Sequence, residues 1–202
     1  MAYSDYTLDR IRQNFGIENR RTPILLNTQP LEASENLKMA LSEVEELPIR
    51  SEKAKSEWIV VPILKELRLR NDKFFTIYSG DNLNADEATG LKGECDFILA
   101  KDTGTFDINY PIIQIVEAKK NDVEIGVPQC AAQLIGARTY NEKKGVKLDR
   151  IYGCVTTGNE WLFMQLEGDC IKINTKIFYL NEIDNVLGIF HWIINYYKET
   201  LK

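Results

Sequence analysis

Histidine is almost missing from this chain, with His191 alone among 202 residues, and that scarcity excludes zincins and two-histidine metal centres. Cysteine is sparse and scattered: Cys95, Cys130, Cys154 and Cys170 contain no CxxC pair. Three of them stand in apolar, strand-like runs, so reduced buried thiols are expected rather than disulfides or a zinc site. No apolar run approaches the ~20 residues of a membrane span. The start, Met1-Ala2-Tyr3-Ser4-Asp5-Tyr6, lacks the basic-then-apolar pattern of a signal peptide, so the expectation is a cytoplasmic protein with no membrane partner. Also missing are a P-loop, a helix-turn-helix and a zinc finger, which removes an in-cis translocase and base reading through those modules. There is no internal repeat or low-complexity tract.

What remains is an ordinary globular composition, 44% hydrophobic and 27% charged, on a chain long enough to bury roughly 70% of its unfolded surface. The net charge of −5 speaks against a protein that coats nucleic acid, because nonspecific affinity comes from Lys and Arg on phosphates. It does not exclude a nuclease, whose metal ligands are themselves acidic.

Residues 1–30 read as a poorly specified arm, with Pro23 and Pro30 bounding the apolar piece Ile24-Leu25-Leu26. Leu31, Leu37, Leu41, Val44 and Leu47 recur at helical steps, and Pro48 ends that helix. Ser51 is an N-cap candidate for a second helix, Glu52 to Leu69, which Pro62 should kink or interrupt. Phe74 to Tyr78 reads as a strand and Ser79 to Thr89 as a loop. After a strand around Asp96, the Gly- and Asp-bearing segment Lys101–Asn109 predicts a hairpin into a strand around Glu117, hence an antiparallel adjacent pair. A helix from Gln129 to about Lys144 follows, with Pro128 in its first turn. Two hairpin strands, Ile151–Thr157 and Trp161–Leu166, then Cys170–Ile173 and a final helix, Asn181–Lys198, complete the chain. His191 is expected to pack on a face of that last helix. The sum predicts one α/β domain over 1–202: arm and helix to 47, core over 48–180, and a C-terminal helix over 181–202.

Two segments carry chemistry. In Gly93-Glu94-Cys95-Asp96-Phe97-Ile98-Leu99 and Ile112-Ile113-Gln114-Ile115-Val116-Glu117-Ala118-Lys119-Lys120, charges interrupt runs that otherwise read as buried strands. Strand alternation puts Glu117 and Lys119 on one face. If the two strands pair, Asp96, Glu117 and Lys119 converge, and two carboxylates beside a lysine make an oxygen-rich site suited to a hard divalent cation and to metal-assisted hydrolysis.

That order, a helix with an acid, a strand with Asp, a strand with Glu-x-Lys and a helix opening on Gln, resembles the PD-(D/E)XK nuclease superfamily. Cys95 stands where the superfamily often has proline. The segment Ser51–Leu64, with Pro62-Ile63-Leu64, looks like the first helix of the N-terminal nuclease domains of type I restriction subunits and related small proteins. Gly126–Gln133 is similar to the glutamine-bearing helix of those families, and the likeness spans roughly Pro48 to Gly168. The resemblance implies a restriction-endonuclease-like mixed sheet flanked by helices, with an N-terminal helical extension and a C-terminal helix. It also implies Mg²⁺, with Mn²⁺ as substitute, held by Asp96, Glu117 and Glu52. Lys119 and Gln129 would join these as catalytic residues, while Glu57 stays open as an alternative to Glu52, Gln133 to Gln129, and Glu94 as an additional acid. Lys120 and Arg138, with Lys143 and Lys144, would form a basic rim for nucleic acid, DNA first. A partner protein for targeting and a homodimer through the aromatic residues Phe190, Trp192, Tyr196 and Tyr197 are left open. The competing reading keeps the fold as a catalytically silent interaction module in a restriction, repair or mobile-element complex.

Overall fold

The computed structural model describes residues 1–24 and 28–202; Leu25 and Leu26 of the expected apolar piece lie outside the described residues. Its centre is an eight-stranded mixed sheet. The strands are β1 (Glu18–Arg21), β2 (Phe75–Asn82), β3 (Glu94–Lys101), β4 (Ile112–Ala118), β5 (Arg150–Thr156), β6 (Glu160–Glu167), β7 (Cys170–Ile173) and β8 (Phe178–Tyr179). They lie in the order β1-β7-β6-β5-β4-β3-β2, with β8 also pairing β6. The β4–β5 and β1–β7 pairs are parallel and the other pairs antiparallel. Helices α1 (Leu8–Phe15), α2 (Glu35–Val44), α3 (Glu52–Lys55), α4 (Val61–Arg70), α5 (Val123–Lys143) and α6 (Ile183–Thr200) flank the sheet. The fold is therefore α/β with a mixed sheet between helices, including N-terminal and C-terminal ones. Among the described residues no helix is long and apolar enough to cross a membrane.

The β4–α5–β5 crossover fixes the site's frame. Asp122 caps α5 by accepting the Glu124 N–H at 2.7 Å, so the helix starts at Val123, six residues before the expected Gln129. Pro128 thus sits inside the helix rather than in its first turn. Its missing donor would have faced the carbonyl of Glu124, an exposed residue whose carbonyl water can serve. Apolar residues wrap all round α5 because it is covered twice. One side packs on β5, where Cys130 and Leu134 meet Gly153, and Gly136 admits the Tyr3 hydroxyl on another.

The described residues of the 1–30 arm are thus built into the domain. Tyr3 and Tyr6 are buried, their hydroxyls donating to the Leu83 and Thr89 carbonyls, and Glu18–Arg21 joins the sheet edge beside β7. The all-polar Glu-Asn-Arg-Arg run offers no alternation to read. β2 runs on through Gly80 to Asn82, where the sequence suggests a loop, since an edge strand can take Asp81 and Asn82 on its solvent side.

Ser51 caps α3 through the Ala54 N–H, as its position predicts. The Glu52–Arg70 rod is unbroken by Pro62. Instead a π-turn spans Ser56–Val60, with Val61 N–H reaching back to the Ser56 carbonyl, and the extra residue falls just before the ring removes a donor. On α6, Phe190 and Tyr197 are buried while Trp192 and Tyr196 pack edge-on against Tyr152, so these aromatics cover the chain's own sheet. His191 is more than a packing residue: its Nδ1 donates to Asn71 Oδ1 and its Nε2 accepts from Asn195, each at 2.9 Å. The four cysteines are free, three of them buried.

Candidate active site

Antiparallel pairing of β3 and β4 runs down to Phe97 opposite Val116. One step further, where Asp96 would face Glu117, the ladder is replaced by a side chain: Asp96 Oδ2 accepts the Ala118 N–H at 2.7 Å. β4 keeps its other neighbour, since Lys119 N–H donates to the Thr156 carbonyl of β5 at 2.7 Å. The strand end is therefore pinned from both sides, which fixes where Glu117 and Lys119 project.

Glu117 is 1% exposed, an unusual place for a carboxylate. Its Oε1 receives the Lys119 ammonium at 2.6 Å and its Oε2 receives the Gln133 amide at 2.7 Å. Lys119 Nζ donates a second bond, 3.1 Å, to Gln129 Oε1. One helical turn separates the two glutamines, so α5 presents one to each member of the pair. Both sequence alternatives are engaged, Gln129 by the lysine and Gln133 by the glutamate. Close approach of α5 depends on Gly126, where a Cβ would lie 2.5 Å from Val155 and 2.9 Å from Lys119.

Burial, and then the Asp96 carboxylate, push Glu117 up to about 7. Asp96 is raised too, by burial, against the pull of the Ala118 N–H. Lys119 is pulled two ways. Burial would lower it, yet the Glu117 carboxylate and its hydrogen bond outweigh burial, and the ammonium's pKa rises. Two carboxylates thus repel across the strand end, offset by the Lys119 ammonium and by the hydrogen bonds from the Ala118 N–H and the Gln133 amide.

Glu52, at the start of α3, adds negative charge felt by both Asp96 and Lys119. With Glu57, Glu94 and Asp96 it lines a cleft of about 530 Å³ between the α3–π-turn segment and the ends of β2 and β3. Glu57 is mostly exposed and pairs with Lys53 at 3.8 Å, so of the two helix acids Glu52 stands nearer the Glu117–Lys119 pair's electrostatics. Glu94 is exposed at the cleft wall.

The expected basic rim is only partly assembled. Lys120 is exposed beside Lys119, but Arg138 donates to the Gly168 carbonyl at 2.6 Å and lines a separate hollow. Lys143 is taken by the Ala85 carbonyl, and Lys144 lies over the Tyr110 and Tyr140 rings. Sequence reasoning missed Lys55, which donates to the Lys120 carbonyl and ties α3 to the strand end. Its place three residues after Glu52, hence on the same helix face, was the available signal.

The donor set is hard oxygen throughout. Among the described residues no three His, Cys, Asp or Glu side chains form a group that could hold a metal. Asp96 and Glu117 are carboxylates, the donor type through one or two of which Mg²⁺, keeping several waters, is commonly bound.

Comparisons with known proteins add one relative. Over 185 residues the chain is 25% identical to crinkler effector protein 1 of Rhizophagus irregularis, a match covering 83% of this chain and 38% of that protein. The chain thus spans well under half the length of the curated relative it matches. No family model and no solved structure matches.

Proposed function

We propose that the chain is a metal-dependent nuclease of the PD-(D/E)XK type that hydrolyses phosphodiester bonds, with DNA as its first substrate class. One observation carries this reading: a buried Glu117 and a partly buried Lys119, two residues apart at a strand end, each held by its own glutamine from α5. A buried acid forced beside a second carboxylate is a poor stabilising device, and strongly perturbed groups of this kind concentrate at functional sites.

Asp96 and Glu117 would hold the ion, Mg²⁺ or Mn²⁺, with Glu52 as a further acid, and the chemistry such an ion would supply is polarisation of the scissile phosphate and a more acidic water. Gln133 fixes the Glu117 carboxylate by holding Oε2. Lys119 keeps its proton, so its role is to orient the attacking water and offset charge building on the phosphate, rather than to act as a base. Gln129 keeps the ammonium at the strand end if Glu117 turns away from it. Lys120 and Lys53, both exposed near the cleft, offer phosphate contacts.

A second reading has the acidic cleft wall in its favour: Glu52, Glu57 and Glu94 repel a polyanion, as suits a silent interaction module, and the relative's name is that of an effector. Cleavage of single-stranded and duplex DNA with Mg²⁺ or Mn²⁺ separates the two. The nuclease reading expects metal-dependent products that fall by at least about 100-fold in Glu117→Ala and Lys119→Ala. Absence of cleavage and of metal binding at millimolar concentrations contradicts it.

A further inference from the structure

At the other end of the sheet a row of polar side chains crosses five adjacent strands. Gln114 of β4 pairs in register with Tyr152 of β5, Tyr152 with Gln165 of β6, Gln165 with Lys172 of β7, and Lys172 with Arg20 of β1. Partners in register project to the same face. The face is the one α6 covers, since Tyr152 packs against Trp192, Tyr196 and Tyr197. A sheet buried under a helix is expected to show apolar residues there.

Four of its five residues, Tyr152, Gln165, Lys172 and Arg20, line a hollow of about 350 Å³. Three cations edge it: Arg20, Arg150 and Lys172. One acid, Glu167, bonds both Arg150, at 2.6 Å, and Lys172, which leaves the wall net positive. On the floor, Tyr152 is fully buried, and its hydroxyl, although close to the Arg150 guanidinium, completes no hydrogen bond among the described residues. Gln165 is 5% exposed and lines the same floor. Trp192 supplies an aromatic wall. A buried hydroxyl left without a completed hydrogen bond calls for an explanation, and a ligand that supplies the partner is one.

We propose that this hollow is a second ligand site, which takes a nucleoside 5′-monophosphate. The phosphate meets Arg20, Arg150 and Lys172, groups suited to bind it. The base lies against Trp192, and its polar edge satisfies the Gln165 amide and the Tyr152 hydroxyl, the pairing of stacking with a donor–acceptor side chain that single-stranded nucleotide sites use. Tyr152 and Arg150 lie four and six residues along β5 from Thr156, which bonds Lys119, about 13–20 Å at strand rise. The site does not depend on the cleavage reading.

The test is calorimetric titration of the full chain with AMP, GMP, CMP and UMP, with the matching nucleosides and inorganic phosphate as controls. The expected result is saturable one-to-one binding of at least one monophosphate, weakened by about tenfold or more in Lys172→Met and in Gln165→Leu, and unchanged in Glu117→Ala. Circular dichroism establishes that each variant is folded, and Arg20→Gln, at an exposed position, serves if Gln165→Leu is not. Three outcomes would overturn the proposal: no binding at millimolar nucleotide, binding lost in Glu117→Ala but kept in Lys172→Met, or equal affinity for inorganic phosphate and every nucleotide.

Discussion

Glu117 is the residue on which the proposed chemistry turns, and its environment makes a testable demand on stability. Its carboxyl is near 7 in the folded chain against an ordinary 4.5, so the folded state binds more protons between those values. The associated stability is fully present below about pH 4.5 and is lost as pH rises through 7. Urea unfolding at pH 5 and pH 8 should therefore show a loss on the order of 1–3 kcal/mol that Glu117→Gln largely removes. Equal pH slopes in the two proteins would contradict the assignment. Gly126→Ala must displace either Val155 or the Lys119 stem, and should cost about 1–3 kcal/mol in stability and disturb the Lys119–Gln129 bond. A mutant with native stability and native metal affinity would show that α5 can retreat freely. At this scale the sequence was readable where alternation governs: Glu117 and Lys119 share a face because strands have a period of two. Gln129 against Gln133 was not, because both lie on one helix face and only the packed distance to each partner separates them.

Among the elements, the long helical rod and α5 do the positioning, by different means. The π-turn at Ser56–Val60 lets the rod carry Glu52 and Lys55 to the strand end while Ile59 packs on the Gly158 turn. Pro62 signalled an irregularity there but not its kind, since a wide turn and a kink answer the same missing donor. Likewise α5 defeated a single-stripe reading because two surfaces cover it, and the Asp122 cap, in a polar stretch that reads as a turn, moved its start. α6 is tied to the end of α4 through His191, whose pKa burial lowers, with the Lys198 and Arg70 charges acting the same way. A histidine held neutral contributes stability that is fully present above its ordinary 6.5 and lost as pH falls below it. Replacing it with Gln should flatten that loss between about pH 7 and pH 5 in a thermal-unfolding series. If the variant keeps the wild-type slope, the Asn71–His191–Asn195 chain is not what responds to acid.

Across the whole molecule, one mixed sheet separates two ends of opposite character. The candidate active site gathers Asp96, Glu117 and Glu52 around Lys119, and the far end gathers Arg20, Arg150 and Lys172. The strands from Asp96 to Leu166 and the two hairpin pairs among them were legible because the runs of β-formers are closed by Gly, Asn or Asp, whereas the parallel β4–β5 pairing was not. The edge strand β1 and the burial of Tyr3 and Tyr6 were not, since long-range pairing of a polar segment leaves no local pattern. The account predicts that the site end binds a divalent cation although Lys119 and Gln133 already engage both Glu117 oxygens. A crystal of the protein soaked in Mn²⁺ tests this most directly. The account predicts an anomalous peak shared by Asp96 and Glu117, with the Lys119 ammonium moved off Glu117 and still on Gln129. An intact Lys119–Glu117 bond at saturating Mn²⁺, with no peak at Asp96, would contradict it.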